Sequence, residues 1–217
     1  MLPLLRPKNI DLGELALIQE NIAHRVVQKN GFRKIETIAG CDISFAKGDR
    51  ARAACVILDY KDLQLLDQKV VNIKLKFPYI PTFLAFRELE GMLKAVKGME
   101  ADVYMIGAQG IAHPRRAGLA SHFGVSVNRP ALGIAKTRLC GETKDPVRKR
   151  GAYSLLRDGG ETIGATLRTQ PDTRPIYVSI GHNISLKTAI RVTLETTRKH
   201  RLSEPLILAH ALATKSI

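Results

Sequence analysis

Tryptophan is absent from this 217-residue chain, and all aromatic residues together make up 5%. That scarcity excludes a platform that stacks many nucleobases on aromatic rings. No apolar run reaches the roughly 18 residues of a membrane span. The opening MLPLLRPK is too short for the apolar region of a signal peptide and has no small-residue cleavage site. A cytoplasmic protein without a membrane partner is expected. Cys41, Cys55 and Cys140 are odd in number and scattered, which argues against a disulfide framework or a zinc site. Acidic residues are also scarce: 20 Asp and Glu face 34 Lys and Arg, for a net charge of +14. Such an excess favours a polyanionic partner, because neutralised phosphates release counterions on binding. The same balance fits a generic basic RNA-binding domain, so it defines a class of partner and no more.

With 45% hydrophobic residues, the chain is long enough for a full core. No repeat, low-complexity tract or Ser/Gly linker divides it, so one domain over residues 1–217 is expected, as a monomer. Near-helical apolar spacing predicts a helix over Asn9 to Asn30. Strand-like segments follow at hairpin spacing, Glu36 to Phe45, Arg52 to Tyr60 and Leu63 to Leu75. A helix is predicted over Thr82 to Lys97, a strand over Val103 to Gly107, a helix near Arg115 to Phe123 and a strand over Ala131 to Leu139. Tyr153 to Leu156 and Thr162 to Arg168 read as a hairpin around Asp158-Gly159-Gly160, and Ile176 to Gly181 as a further strand. Helices at Leu186 to Lys199 and Glu204 to Ala213 follow, the second with Ser203 as its cap and Pro205 in its first turn. Antiparallel strands followed by strands alternating with helices describe an α/β protein with a mixed sheet covered by helices.

The candidate chemistry is spread along this frame. In VYMIGAQGIAHPRR, Val103 to Arg116, a strand feeds a glycine-bearing turn, where open α/β sheets place ligands, and the arginines offer charge for a phosphate. Asp42 interrupts the apolar strand IAGCDISF; a carboxylate there is costly unless it is paired or binds a cation. Glu88 stands one turn into a helix beside Arg87, a position that also suits a solvated face. Pro78, Tyr79, Ile80 and Pro81 form a rigid segment, either a plain connection or an apolar wedge for a base stack. His113 reads as a helix-start histidine or a site residue. Lys136 ends an apolar strand, and either reaches solvent or meets a phosphate. His210, among Leu206, Leu208 and Leu212, has the pattern of a core histidine.

Taken together, GCDISF, PYIPTFLAFRE, AQGIAHPRRAGLASHFGV, PALGIAKTRLCG, YVSIGH and EPLILAHA resemble endonuclease V, in the family's order, over about Ile38 to Ala211. The resemblance implies an RNase H-like fold, a mixed five-stranded sheet flanked by helices. It implies a Mg²⁺-dependent endonuclease (Mn²⁺ is the other candidate ion) acting on inosine-containing DNA or RNA. Cleavage at the second phosphodiester 3′ of the lesion, in DNA repair, is the activity implied. By the same resemblance Asp42 and Glu88 bind metal, and Lys136 and His210 complete the catalytic set. Pro78, Tyr79, Ile80 and Pro81 form the strand-separating wedge. Gly110, His113 and Gly118 line the pocket for the flipped-out base.

Two departures fall inside this pattern. The family's third metal-binding aspartate aligns with Gly107, and the glycine after PYIP is Thr82 here. Mg²⁺ often makes do with one or two carboxylates, so Asp42 and Glu88 could still hold one ion. A two-metal clamp would lack its shared carboxylate. Asp102 lies about 17 Å along the strand on the opposite face and is a poor substitute. The expectation is an endonuclease weakened at Gly107. The alternative is an inosine- or lesion-binding protein of the same fold that does not cut.

Overall fold

The computed structural model describes residues 10–215. The MLPLLRPK segment and Asn9 of the expected first helix lie outside the described residues, as do Ser216 and Ile217. Helix α1 (Leu12–Arg25) starts where the Asp11 carboxylate accepts hydrogen bonds from the Gly13 and Glu14 amides at 2.8 and 3.3 Å, satisfying two of the first-turn donors. Strands β1 (Thr37–Phe45), β2 (Arg50–Asp59) and β3 (Leu65–Lys74) run antiparallel to one another. Helix α2 (Leu84–Val96), β4 (Val103–Ile106), α3 (Leu119–Val127) and β5 (Ala131–Ala135) follow. The chain then adds β6 (Tyr153–Asp158), β7 (Glu161–Leu167), β8 (Ile176–His182), α4 (Leu186–Glu195) and α5 (Glu204–Thr214).

All eight strands form one sheet, ordered β3-β2-β1-β4-β5-β8-β7-β6. The pairs β1/β4 and β4/β5 are parallel and the rest antiparallel. This is the expected mixed sheet flanked by helices, with a larger strand count than the five implied by the family. The first five strands make the five-stranded core, and β8, β7 and β6 extend it beyond β5.

Strand alternation divides the core into two layers. Ala39, Cys41, Ile43, Tyr104 and Ile106 pack with Leu89 and Met92 of α2 and Phe123 of α3. Ile38, Val103, Met105, Leu132 and Ile134 pack with Ala189 of α4 and with Leu206 and Ala209 of α5. Asp42 has the parity of Ile38 and Gly40, so its side chain emerges on the α5 face. At Gly40 the two elements nearly touch: a Cβ built there would lie 2.1 Å from the Pro205 carbonyl oxygen.

Three local expectations are corrected. Helix α3 starts at Leu119 rather than near Arg115, because Arg116 adopts φ 55°, a left-handed conformation that a growing helix does not tolerate. Strand β5 stops at Ala135, where its pairing with Tyr177 of β8 ends, so Lys136 to Leu139 leave the sheet. Ser203 occupies the cap position of α5 with Pro205 in the first turn, but its side chain makes no capping bond and its hydroxyl is buried without a partner. The hairpin between β6 and β7 matches its sequence: Gly159 and Gly160 both have positive φ, 59° and 82°, as a tight antiparallel turn of this kind requires.

The close approach at Gly40 makes a stability test. Gly40→Ala sets a methyl against backbone, which cannot move without shifting α5, and overpacking of this kind costs roughly 1–3 kcal/mol. Thermal unfolding is expected to show Tm lowered by about 2–12 °C. An unchanged Tm would mean that α5 is not clamped to β1 at this point.

Candidate active site

Asp42 lies at the C-terminal part of β1, where β1, β4 and β5 run side by side and in parallel. A cleft of about 640 Å³ opens across these strand ends. Asp42, Lys136 and His210 all line it, with Tyr79, His113, Gly118, Gly107 and Thr82. His210 is not the core histidine its apolar neighbours suggest. Its side chain is 53% exposed, and its Nδ1 donates to Asp42 Oδ2 at 2.7 Å. Burial raises the Asp42 pKa, opposed by the hydrogen bonds from His210 and the Ile43 backbone and by the charge of Lys136.

Glu88 is 5% exposed on α2 and stands behind the cleft wall rather than in it. The solvated-face alternative is thereby overturned. Burial pushes its carboxyl up to about 8, the Asp42 charge adds to the rise and Arg87 opposes it. A buried acid is thus held near a second, partly exposed one, an arrangement that a cation relieves. No cluster of three or more His, Cys, Asp or Glu side chains placed to hold a metal occurs among the described residues.

Gly107 lies beside Asp42, at the position where the resemblance implies a third acid. Cys41 pairs with Ile106 in the parallel register, so Gly107 is the neighbour of Asp42 across the strand ends. The Gly107 amide donates to the Cys41 carbonyl at 3.2 Å. A Cβ on Gly107 would sit 2.6 Å from Asp42 Oδ1: the carboxylate leans over the glycine. A side chain at 107 would require the Asp42 carboxylate to rotate. Asp102 is no replacement, since its Oδ2 accepts from the amides of Glu36 and Thr37 at 2.8 and 2.9 Å at the start of β1.

The wedge is half anchored. Pro78, Tyr79 and Pro81 are exposed, Tyr79 at 68%, while Ile80 packs against the cluster of Leu15, Phe77 and Phe83. Thr82, which follows it, has φ 67°, an outlier for a β-branched residue. The strain is held by neighbours. The Thr82 carbonyl accepts from Gln19 Nε2 at 2.7 Å and from His113 Nε2 at 2.8 Å, and its hydroxyl accepts from Arg115 at 2.8 Å. His113 Nδ1 accepts from the Arg115 amide at 3.2 Å, and burial lowers the His113 pKa to about 4. The neutral Nε2–H tautomer follows.

The two arginines are not free for a phosphate. Arg115 also donates to Gln19 Oε1 at 2.5 Å and lies over the Phe83 ring at 4.5 Å. Arg116 pairs with Asp158 at 2.9 Å and with Glu161 at 2.7 Å. Gly110 also sits outside the cleft wall: a Cβ there would be 2.0 Å from the Ile180 carbonyl oxygen, so its glycine serves packing against β8. Gly118 does line the cleft, and a Cβ on it would meet the Gln109 carbonyl oxygen at 2.3 Å. Gln19 was not predicted. It is fully buried on α1, four residues after Leu15 on the same stripe, and a polar residue on a buried stripe was the available signal.

Asp42, Lys136 and His210 gather in one cleft at the strand ends of an RNase H-like sheet, with Glu88 behind its wall; the class of protein these features fit is a nucleic-acid phosphodiester hydrolase. The endonuclease V family model matches residues 20–211. The endonuclease V of Methanothrix thermoacetophila is 50% identical over 183 residues, covering 84% of this chain and 82% of that protein. The crystal structure of endonuclease V from Streptomyces avermitilis superposes with a TM-score of 0.89 at 32% identity, covering 96% of this chain and 94% of that one. Endonuclease V from Ciona intestinalis, solved with a 23-mer DNA containing an inosine followed by a ribo-adenosine, gives 0.83 at 28% identity over 93% and 95% of the two chains. The chain belongs to the endonuclease V family.

Glu88 ties site to stability. Its folded pKa of about 8 lies above the ordinary 4.5, so between those values the folded chain holds a proton that the unfolded chain has released. The stability linked to that proton is fully present below pH 4.5 and is lost as pH rises through about 8. In chelator, the wild type is expected to lose a few kcal/mol between about pH 5 and 9, and Glu88→Gln to lose much less. Parallel pH–stability curves in urea denaturation would show that Glu88 is not held protonated.

Proposed function

We propose that this protein recognises inosine in DNA or RNA and hydrolyses the second phosphodiester on its 3′ side. One Mg²⁺ or Mn²⁺ ion bound by Asp42 and Glu88 assists, at a rate lowered by Gly107. The observation that carries this reading is the convergence of Asp42, Lys136 and His210 on one cleft, with the Asp42 charge acting on Glu88 behind it. Two hard carboxylate oxygens suit a magnesium- or manganese-like ion. Glu88, buried and with no hydrogen bond among the described residues, is a donor awaiting a cation. The bound ion would polarise the phosphate and favour a hydroxide-like nucleophile.

The chain's own groups have separable tasks. His210 Nδ1–H fixes the rotamer of Asp42. Asp42 in the cleft wall and Glu88 behind it would supply the carboxylate oxygens that hold the cation. Lys136 supplies positive charge where negative charge develops on the phosphate as water attacks phosphorus and the bond to the 3′ oxygen breaks, leaving 3′-hydroxyl and 5′-phosphate ends. Tyr79 with its flanking prolines opens the base stack. The neutral His113 and the Thr82 backbone form a rigid wall for the extruded base.

A second reading has its own observation in its favour. Asp42 leans into the space beside Gly107 at 2.6 Å from the position of a Cβ, an arrangement suited to a protein that binds inosine without cutting. A deoxyinosine duplex incubated with Mg²⁺ or Mn²⁺ separates the two. Slow formation of one nick at the second bond 3′ of inosine is expected, and Gly107→Asp should raise the rate at least about tenfold. Retarded mobility without product at any time, in both proteins, would leave binding alone. Equal affinity for inosine-containing and ordinary strands would remove both readings in favour of a general basic binder.

A further inference from the structure

The cleft does not end at Asp42. Thr82 precedes α2 and Gly118 precedes α3, both on one face of the sheet, whereas His210, Ile207, Ala211 and Thr214 belong to α5 on the other. The cleft therefore crosses the strand ends from face to face, with Asp42 between. Positions 207, 211 and 214 share one stripe of the helix. Ile134 and Leu206, 2% and 4% exposed, belong to one core cluster with Leu202 packed against it, and all three reach the cleft. Lys136, Arg138 and Leu139 leave the end of β5 and complete this half. Neither Lys136 nor Arg138 forms an ion pair among the described residues. Asp42 is the sole carboxylate in the cleft wall among them.

We propose that the α5 end is a subsite for the nucleotide immediately 3′ of the bond that Asp42 faces. Its base enters the aliphatic slot and its phosphate meets Lys136 and Arg138. The proposal rests on the reading of the cleft as inosine-directed. With inosine on the Thr82 side and the second phosphodiester at Asp42, the strand continues toward α5. What it finds there is an apolar slot rimmed by unpaired cations, complementary to a base joined to a phosphate. An aliphatic wall excludes water from any base without reading its edge, so the subsite is sequence-tolerant.

The test is fluorescence anisotropy with the full-length protein in chelator. The probes are single-stranded oligonucleotides carrying deoxyinosine, with either a base or an abasic unit two nucleotides 3′ of it. Loss of that base is expected to weaken binding about five- to tenfold, and loss of a base several nucleotides further on to change nothing. Leu139, 44% exposed and outside any helix or strand, can be replaced with little risk to folding. Leu139→Asp is expected to weaken binding of the intact oligonucleotide by a similar factor and to abolish the dependence on that base, with Ile207→Ser acting in the same direction. Equal affinity with and without the base in the wild type, or undiminished dependence in Leu139→Asp, overturns the subsite. Deoxyadenosine in place of deoxyinosine probes the underlying reading separately. Tighter binding of deoxyinosine without base dependence overturns the subsite alone, whereas equal affinity for deoxyinosine and deoxyadenosine removes the lesion pocket.

Discussion

Glu88 is 5% exposed, and the Asp42 charge helps burial to raise its carboxyl pKa to about 8. Holding a buried acid near a second, partly exposed one is unfavourable unless something compensates, and the surrounding architecture can be understood from that cost. Parallel pairing of β1 with β4 places Asp42 at the strand ends. Gly40 lets α5 approach β1 closely, and the approach delivers His210 to Asp42 at 2.7 Å. The histidine and the Lys136 charge offset part of the burial of Asp42. Nothing among the described residues does the same for Glu88 by hydrogen bonding, and there the need for a cation is strongest.

The departures at Gly107 and Thr82 act in different physical ways. Gly107 leaves room into which Asp42 inclines, with the carboxylate oxygen 2.6 Å from the place of a Cβ. Thr82 removes nothing; it forces a β-branched residue to φ 67°. The contacts of Gln19, His113 and Arg115 show that this backbone conformation is held in place by its surroundings, as strained positions at functional sites generally are. The backbone after Pro81 is therefore held in place without glycine.

Much of this was legible in the sequence. Strands β1 to β3 and β8 follow from apolar periodicity and turn residues, and the strings around Asp42, Glu88, Lys136 and His210 identify the family. What periodicity could not supply was three-dimensional partnership. His210 sits among leucines in the chain, yet faces the cleft because α5 packs on β1 through Pro205 and leaves that edge open. Arg115 and Arg116 read as phosphate contacts until Thr82, Gln19, Asp158 and Glu161, all distant in sequence, are seen to engage them. Gly110 looks like a ligand-facing glycine, but the backbone of β8 lies against it. Each of these depends on long-range packing that no local pattern encodes.

The central claim is that the site is built around one cation between Asp42 and Glu88. Counting bound Mn²⁺ by electron paramagnetic resonance, with an uncleavable inosine oligonucleotide present, tests it most directly. One ion per chain, lost in both Glu88→Gln and Asp42→Asn, is the expected result. No bound ion, two ions, or binding that survives Glu88→Gln would contradict it.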